Sequence, residues 1–231
     1  MADMLPPRLA AVAAQVPQDA VLVDVGTDHA QLPVSLVRSG KVRRALAVDI
    51  ASGPLARARS ASAHLRDRIE VRQSDGLLAL RPGEVTCISI AGMGGLTVAK
   101  ILTEGATVCA AASRVVVQPQ GMEAEVRTVL LSMGWCCVHG ALVQDRRHIY
   151  VVESWEPGGE RVAWSSDDLR WGKLIRANHD PLYSAWIGNK LANVRQGLDR
   201  MVAAGQSDHP DAVRLRQEAD KLAEEQSTCR Q

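Results

Sequence analysis

The feature that most restricts this chain is a recurring unit: a short apolar run, a small or acidic residue, then a segment of helical character. The apolar runs are Ala20–Val25 (AVLVDV), Arg44–Asp49 (RALAVD), Ile69–Arg72, Val85–Ile90 (VTCISI) and Arg114–Val117. Runs of this length suit strands buried on both faces, as in a parallel sheet. Between them Pro33–Ser39, Pro54–His64, Leu96–Leu102 and Glu123–Met133 read as helices, and Leu5–Val16 as a short amphipathic one ahead of them. Pro54 stands at a helix start, where its missing N–H costs nothing. Strand–helix alternation with short connections predicts an α/β, Rossmann-like fold: a mostly parallel sheet with helices on both faces. Trp135–Leu142 and Ile149–Ser154 are expected to close the sheet as an antiparallel pair.

Beyond Pro157, Gly158 and Gly159 the pattern becomes purely helical. Ile187, Leu191, Val194, Leu198 and Met201 recur at heptad spacing, as do Ala212, Leu215, Ala219 and Leu222. The segment Gly205–Pro210 between them holds a turn, a capping Ser or Asp and an early Pro. The expected organisation is a sheet domain over 1–158 and a helical coiled-coil hairpin over 159–231. Trp155, Trp164, Trp171 and Trp186 are expected to pack near that junction.

Composition limits the function classes. Phe is absent and aromatic residues total 3%, so Ala, Val and Leu must do most of the packing. A net charge of +1 means that any nucleic-acid surface is a local patch. Nine Lys or Arg against three acids between Arg38 and Arg72 offer one such patch. The cysteines at 87, 109, 136, 137 and 229 form no CxxC pair, which disfavours zinc and disulfides and fits a reducing cytosol. No apolar run approaches a membrane span, and Met1–Arg8 lacks a signal-peptide core, so a cytoplasmic location is expected.

The chemistry gathers where the apolar runs end. In α/β sheets ligands bind beyond the carboxyl ends of the strands. After the first run comes Val23–Ala30 (VDVGTDHA), in which Asp24 closes the strand and Gly26 opens the turn. Bare backbone at Gly26 lets a nucleotide-like ligand approach. Asp28 and His29 stand where a dinucleotide enzyme would carry glycines, and two acids would repel a diphosphate. A cationic sulfonium suits them better. Asp49, with Ile50 after it, ends the second run, where an acid accepts ribose hydroxyls. Ser74-Asp75-Gly76 follows the third run; Asp75 suits an exocyclic amine and Gly76 leaves room for a ring. Ile88–Gly95 (ISIAGMGG) ends the fourth run with an open stretch of Ala91, Gly92, Met93, Gly94 and Gly95. After the fifth, Gln118 offers an amide to a base edge and Pro119 stiffens the turn.

Leu9–Val12, VDVGTDHAQLP, AVDI with its following Gly-Pro, SDG, ISIAGMGG and VVQPQ, in this order and spacing, resemble the bacterial tRNA (adenine-22-N1)-methyltransferase family. Motif resemblance covers about residues 5–155; the hairpin is similar in general shape. The resemblance implies a class I S-adenosylmethionine-dependent methyltransferase domain with a C-terminal coiled-coil domain. It implies tRNA as partner, no metal, and cofactor contacts at Asp24, Gly26, Asp28, His29, Asp49, Ile50, Asp75, Gly76, Ala91 and Gly92. Met93, Gly94, Gln118 and Pro119 are the expected substrate-side residues. Asp28 is the candidate to stabilise a cationic product base, with His29 orienting. Asp49 and Gln120 depart from the Glu and Asn often found at those positions in the family. A methyltransferase for a small molecule or protein, or a non-catalytic RNA-binding relic, shares part of this reading. A nicotinamide oxidoreductase lacks its phosphate glycines.

Overall fold

The computed structural model describes residues 4–158 and 163–228, so Gly159 and Cys229 lie outside the described residues. The chain forms two compact units, Met1–Asn178 and His179–Gln231. The first contains α1 (Pro7–Gln15), β1 (Ala20–Val25), α2 (Gln31–Arg38), β2 (Val42–Asp49), α3 (Ser52–Ala61) and β3 (Ile69–Gln73). It continues with β4 (Cys87–Met93), α4 (Gly95–Glu104), α5 (Ala106–Ala110), β5 (Arg114–Pro119), α6 (Glu123–Ser132), β6 (Trp135–Asp145) and β7 (His148–Pro157). A π-helical turn, Asp168–Gly172, runs into α7 (Lys173–Ala177).

The seven strands lie in the order β3-β2-β1-β4-β5-β7-β6. β1 to β5 pair in parallel, while β7 is antiparallel to both β5 and β6. The hairpin folds back so that its second strand, not its first, pairs with β5. The apolar runs carry two interleaved sets of contacts. Val23, Val25, Leu46, Val48, Ile88 and Ile90 pack with Val98, Leu102, Val126 and Leu130 of α4 and α6. Their neighbours Leu22, Ala45, Ala47 and Cys87 pack with Val12, Leu32, Leu36 and Ala58 of α1, α2 and α3. The period of two in side-chain direction therefore serves two helical layers, which is why no residue in these runs could be polar without a partner. The alanines stand in for the missing Phe: small side chains let α3 close onto β2.

The second unit is α8 (Tyr183–Ala203) and α9 (Pro210–Thr228), packed as a hairpin. Ile187, Leu191, Ala212, Ala219 and Leu222 are buried, and the other seam residues are half-buried. The Tyr183 hydroxyl donates to Glu225 at 2.7 Å, and Gly197 faces Leu215, which sets the two helices antiparallel. Trp186 lies against Tyr183 in this unit. Among the described residues no helix is long and apolar enough to cross a membrane.

The sequence placed the boundary at 158–159; the compact units divide at 178–179. The reason is one buried arginine. Arg127 of α6 is fully buried and donates through Nε to Glu153 of β7 at 2.8 Å. Its Nη1 donates to the carbonyls of Leu169 and Arg170 at 2.7 and 3.1 Å. Gly172 allows the approach, since a Cβ there would fall 2.8 Å from the guanidinium. Trp164 stacks on the buried Trp155 with ring centres 5.6 Å apart. Residues 164–177 therefore belong with the sheet, although their sequence reads as helix. Removing one partner of a buried pair leaves a naked charge, so Glu153→Ala is expected to destabilise the protein by about 3–5 kcal/mol. Urea unfolding measures this, and the double variant R127M/E153L should recover most of the loss.

Candidate active site

The chain order reverses between β1 and β4, and the carboxyl ends of β1 to β5 all meet one edge of the sheet. Backbone hydrogen bonds lace these ends together. Gly26 and Thr27 donate to the Val48 carbonyl at 2.8 and 3.0 Å, Ser74 to Asp49 at 3.0 Å, and Gln120 to Met93 at 2.7 Å. The turns after β1 and β3 are thus tied to the end of β2, and the turn after β5 to the end of β4.

Asp24 sits at the reversal point. It is buried, and across the β1–β4 pair it faces Ser89, whose hydroxyl donates to Oδ1 at 2.8 Å. Burial pushes its pKa up to about 6, and the Ser89 hydrogen bond together with the Arg8 charge pulls only partly against this. Thr27 Oγ1 is buried in the same turn without a hydrogen-bond partner of normal geometry, though near enough to favour the charged form of Asp24. Above them Gly26 takes φ +73°, and a Cβ there would fall 1.9 Å from the Met93 methyl. Gly26 is thus fixed by its left-handed conformation, while the flexible Met93 methyl above it can move aside. The turn ends with His29 and Ala30, both left-handed at φ 57° and 49°, a strained arrangement for residues with side chains.

Asp49 ends β2 and accepts from the Ala51 amide at 2.8 Å, which holds its carboxylate at the entry to α3. Ile50 beside it is 60% exposed, an apolar side chain with nothing over it. Asp75 is exposed at the end of β3, while Gly76 at φ +54° is packed against Ile101. Ala91 and Gly92 are half-buried at the end of β4, and Gly94 has open space around it.

Several expectations change here. Asp28 is not a free carboxylate: Arg57 of α3 donates to its Oδ1 twice, at 3.1 and 3.0 Å. His29 lies 3.6 Å from Asp28 and also lines a cavity of about 820 Å³ with Leu5, Gln31, Ser35, Arg38 and His64. Gln118 is fully buried, and its amide is occupied. Its Oε1 accepts from Arg8 at 2.7 Å and from the Gly92 amide at 3.1 Å, and its Nε2 donates to the Pro119 carbonyl. Pro119 is buried too, so neither residue presents itself to a substrate. Met93 turns its methyl toward Gly26.

The basic stretch from Arg38 to Arg72 is mostly exposed, but part of its charge is already paired. Arg44 and Arg72 pair with Glu70, Arg72 also with Glu84, and Arg57 with Asp28. Lys41 and Arg68 donate to backbone carbonyls. Sequence reasoning missed Arg8, Arg57 and Ser89. Arg8 had a visible signal as the one charged residue in α1. Ser89 had none beyond its place inside an apolar strand. Among the described residues no group of three or more His, Cys, Asp or Glu could hold a metal ion.

Comparisons with known proteins identify the family. A family described as a methyltransferase domain matches residues 5–152. The tRNA (adenine(22)-N(1))-methyltransferase of Bacillus subtilis (strain 168) is 33% identical over 170 residues, 73% of this chain and 71% of the relative. A crystal structure of a Streptococcus pneumoniae protein described as a putative tRNA (m1A22) methyltransferase, in complex with S-adenosyl-L-methionine, is 30% identical with a TM-score of 0.84. It covers 96% of this chain and 99% of that one. The crystal structure of the Bacillus subtilis m1A22 tRNA methyltransferase gives 26% identity and a TM-score of 0.81, covering 98% and 97%. With a methyltransferase-domain sheet and a relative this similar over most of both chains, this protein belongs to the tRNA (adenine(22)-N(1))-methyltransferase family.

Proposed function

We propose that this protein transfers the methyl group of S-adenosylmethionine to N1 of the adenine at position 22, in the D arm of tRNA. The observation that carries the cofactor half is Asp24. A buried carboxylate, answered by a hydroxyl and not by an ion pair, sits beneath bare backbone at the reversal point of the sheet. Such a group favours a cationic ligand, and the unpartnered Thr27 hydroxyl leaves a polar contact to offer it. The tRNA half is supported by the relatives' names and by their full-length likeness, which extends over the helical hairpin as well as the sheet unit. That extent favours tRNA over a small-molecule or protein substrate.

Bound S-adenosylmethionine supplies an electrophilic methyl group on a sulfonium. The chain's own residues hold and place it. Asp24 balances positive charge below the β1 turn, Gly26 admits the ligand, and Asp49 accepts from the ribose. Asp75 takes the adenine amine, while Ile50 and Gly76 border the ring. His29 helps orient the β1 turn. Ala91, Gly92, Met93 and Gly94 border the incoming base. Adenine N1 bears a lone pair and no proton, so no side chain has to act as a base to begin the reaction. Positioning supplies the acceleration, an effect worth up to about 7–11 kcal/mol. Gln118 and Pro119 act at one remove, the amide fixing Gly92 and Arg8 at the base side. Asp28, bridged by Arg57, is a positioning residue that ties the β1 turn to α3.

Three outcomes are expected. First, tRNA incubated with protein and cofactor should yield 1-methyladenosine by nucleoside mass spectrometry, lost when A22 is replaced; unmodified tRNA would overturn the assignment. Second, the raised pKa of Asp24 means that the folded chain binds its proton more tightly than the unfolded chain. Ligand-free stability therefore falls as pH rises from about 4 to 6 and then levels, and ionised Asp24 costs about 3 kcal/mol. Asp24→Asn should raise Tm by several degrees at pH 7 while cofactor affinity collapses. In the natural protein, cofactor affinity should weaken as pH drops through about 6. Third, an exposed pair contributes about 0.2–1 kcal/mol, so D28A and R57A should each weaken cofactor binding by no more than about fivefold with kcat nearly unchanged. A fall in kcat in D28A alone would return Asp28 to the chemistry.

A further inference from the structure

We propose that the cleft between α1 and the tip of the β6–β7 hairpin grips backbone phosphates of the RNA strand beside the target adenine. The proposal rests on the tRNA reading above and names where the strand is held. The cleft is a cavity of about 610 Å³ lined by Arg8, Asp145, Arg146, Arg147, His148 and Tyr150, together with Pro6. Three arginines and a histidine face a single carboxylate.

Topology brings this charge to the reaction edge. β7 is antiparallel to β5, with Val117 opposite Glu153, so the start of β7 and the hairpin tip project past the carboxyl end of β5. Arg8 belongs to both places. Its Nη1 reaches Gln118 at 2.7 Å and would lie 3.2 Å from a Cβ at Gly92. Its guanidinium also covers the Tyr150 ring at 5.8 Å. A strand whose base enters over Gly92 therefore passes its neighbouring phosphates across this cleft.

The charges here are available, whereas Arg44, Arg57 and Arg72 of the basic stretch are already paired with carboxylates. Arg146 and Arg147 are exposed, and among the described residues their side chains have no hydrogen-bond or ion-pair partner. Arg8 uses one of its five donors on Gln118. Arg146 is also in a costly place. It opens the two-residue turn between Asp145 and His148 with φ +56°, a conformation that favours Gly or Asn. A long cationic side chain held at a glycine position on a solvent-exposed tip answers a need other than folding. The Tyr150 ring, with His148 6.0 Å away, adds a surface against which a sugar or base can pack.

The test measures tRNA binding by fluorescence anisotropy at several salt concentrations, together with kcat, KM and cofactor Kd. R146A/R147A is expected to raise the tRNA Kd and KM on the order of tenfold and to lower the salt slope of log K by about 2. Cofactor Kd and kcat at saturating tRNA should not move. R146K/R147K should keep most of the salt slope, because a point charge still meets the phosphate. R146G should raise Tm by relieving the turn and yet weaken tRNA binding. Unchanged tRNA affinity and salt slope in R146A/R147A, with the wild type methylating tRNA, would overturn this cleft alone. A wild type that binds cofactor and neither binds nor methylates tRNA would overturn the substrate reading with it.

Discussion

A carboxylate held out of water at the point where β1 and β4 part is the constraint around which the rest of this sheet edge is organised. Asp24 could have been neutralised by an arginine on the facing strand; the chain places Ser89 there. A hydroxyl steadies the carboxylate without cancelling it. Arg8, the nearest cation to bear on it, gives its hydrogen bond to Gln118 instead. The negative charge is therefore left for something that arrives from outside. Gly26 and the left-handed His29 and Ala30 follow from the same need: the turn must curl away so that backbone, not side chain, covers the acid. The hydrogen bonds from Gly26 and Thr27 to Val48 hold that strained turn against β2.

The same domain contains the opposite solution. Arg127 and Glu153 are both buried, but they meet each other at 2.8 Å through Nε and Nη2, and two backbone carbonyls take the donors of Nη1. This charge is closed: nothing outside the protein is required to satisfy it, and its effect is to bind the segment after β7 onto α6. Two buried charges in one fold thus differ in whether the chain supplies the counter-charge. The difference separates a structural site from a ligand site more sharply than burial alone does.

Much of the fold was readable because its signals are local. Each parallel strand is a run of residues whose two faces both meet helices, so apolarity without alternation is its direct mark. The heptads of α8 and α9 are equally local. What escaped was decided at a distance. Residues 164–177 read as helix and were grouped with the hairpin, yet the partners that place them on the sheet, Arg127 and Trp155, lie earlier in the chain. The insertion of β7 between β5 and β6 likewise depends on which edge of a hairpin meets β5, and alternation patterns do not encode that. The charged stretch around α3 is only partly legible for a related reason: composition counts arginines but not the carbonyls and glutamates that hold Arg44, Arg68 and Arg72.

The candidate site divides along the same line. The half proposed for the cofactor is made from turns that directly follow their own strands, so Asp24, Gly26, Asp49 and Asp75 stand out by position. The half proposed for the substrate is assembled from α1, the end of β5 and the tip of the β6–β7 hairpin, and α1 lies more than a hundred residues before the others, as the Arg8–Gln118 bond across 110 positions illustrates. A motif reading therefore took Gln118 for a base-reading amide, when its oxygen is the joint that fixes Arg8 and Gly92 relative to each other. Burying that amide makes physical sense. A side chain left free to meet the base would sample several rotamers, whereas one held by three hydrogen bonds presents a rigid backbone edge and a fixed cation. A chain that relies on placement in the absence of proton transfer gains most from such rigidity, because every displacement of the base from the methyl group is lost rate.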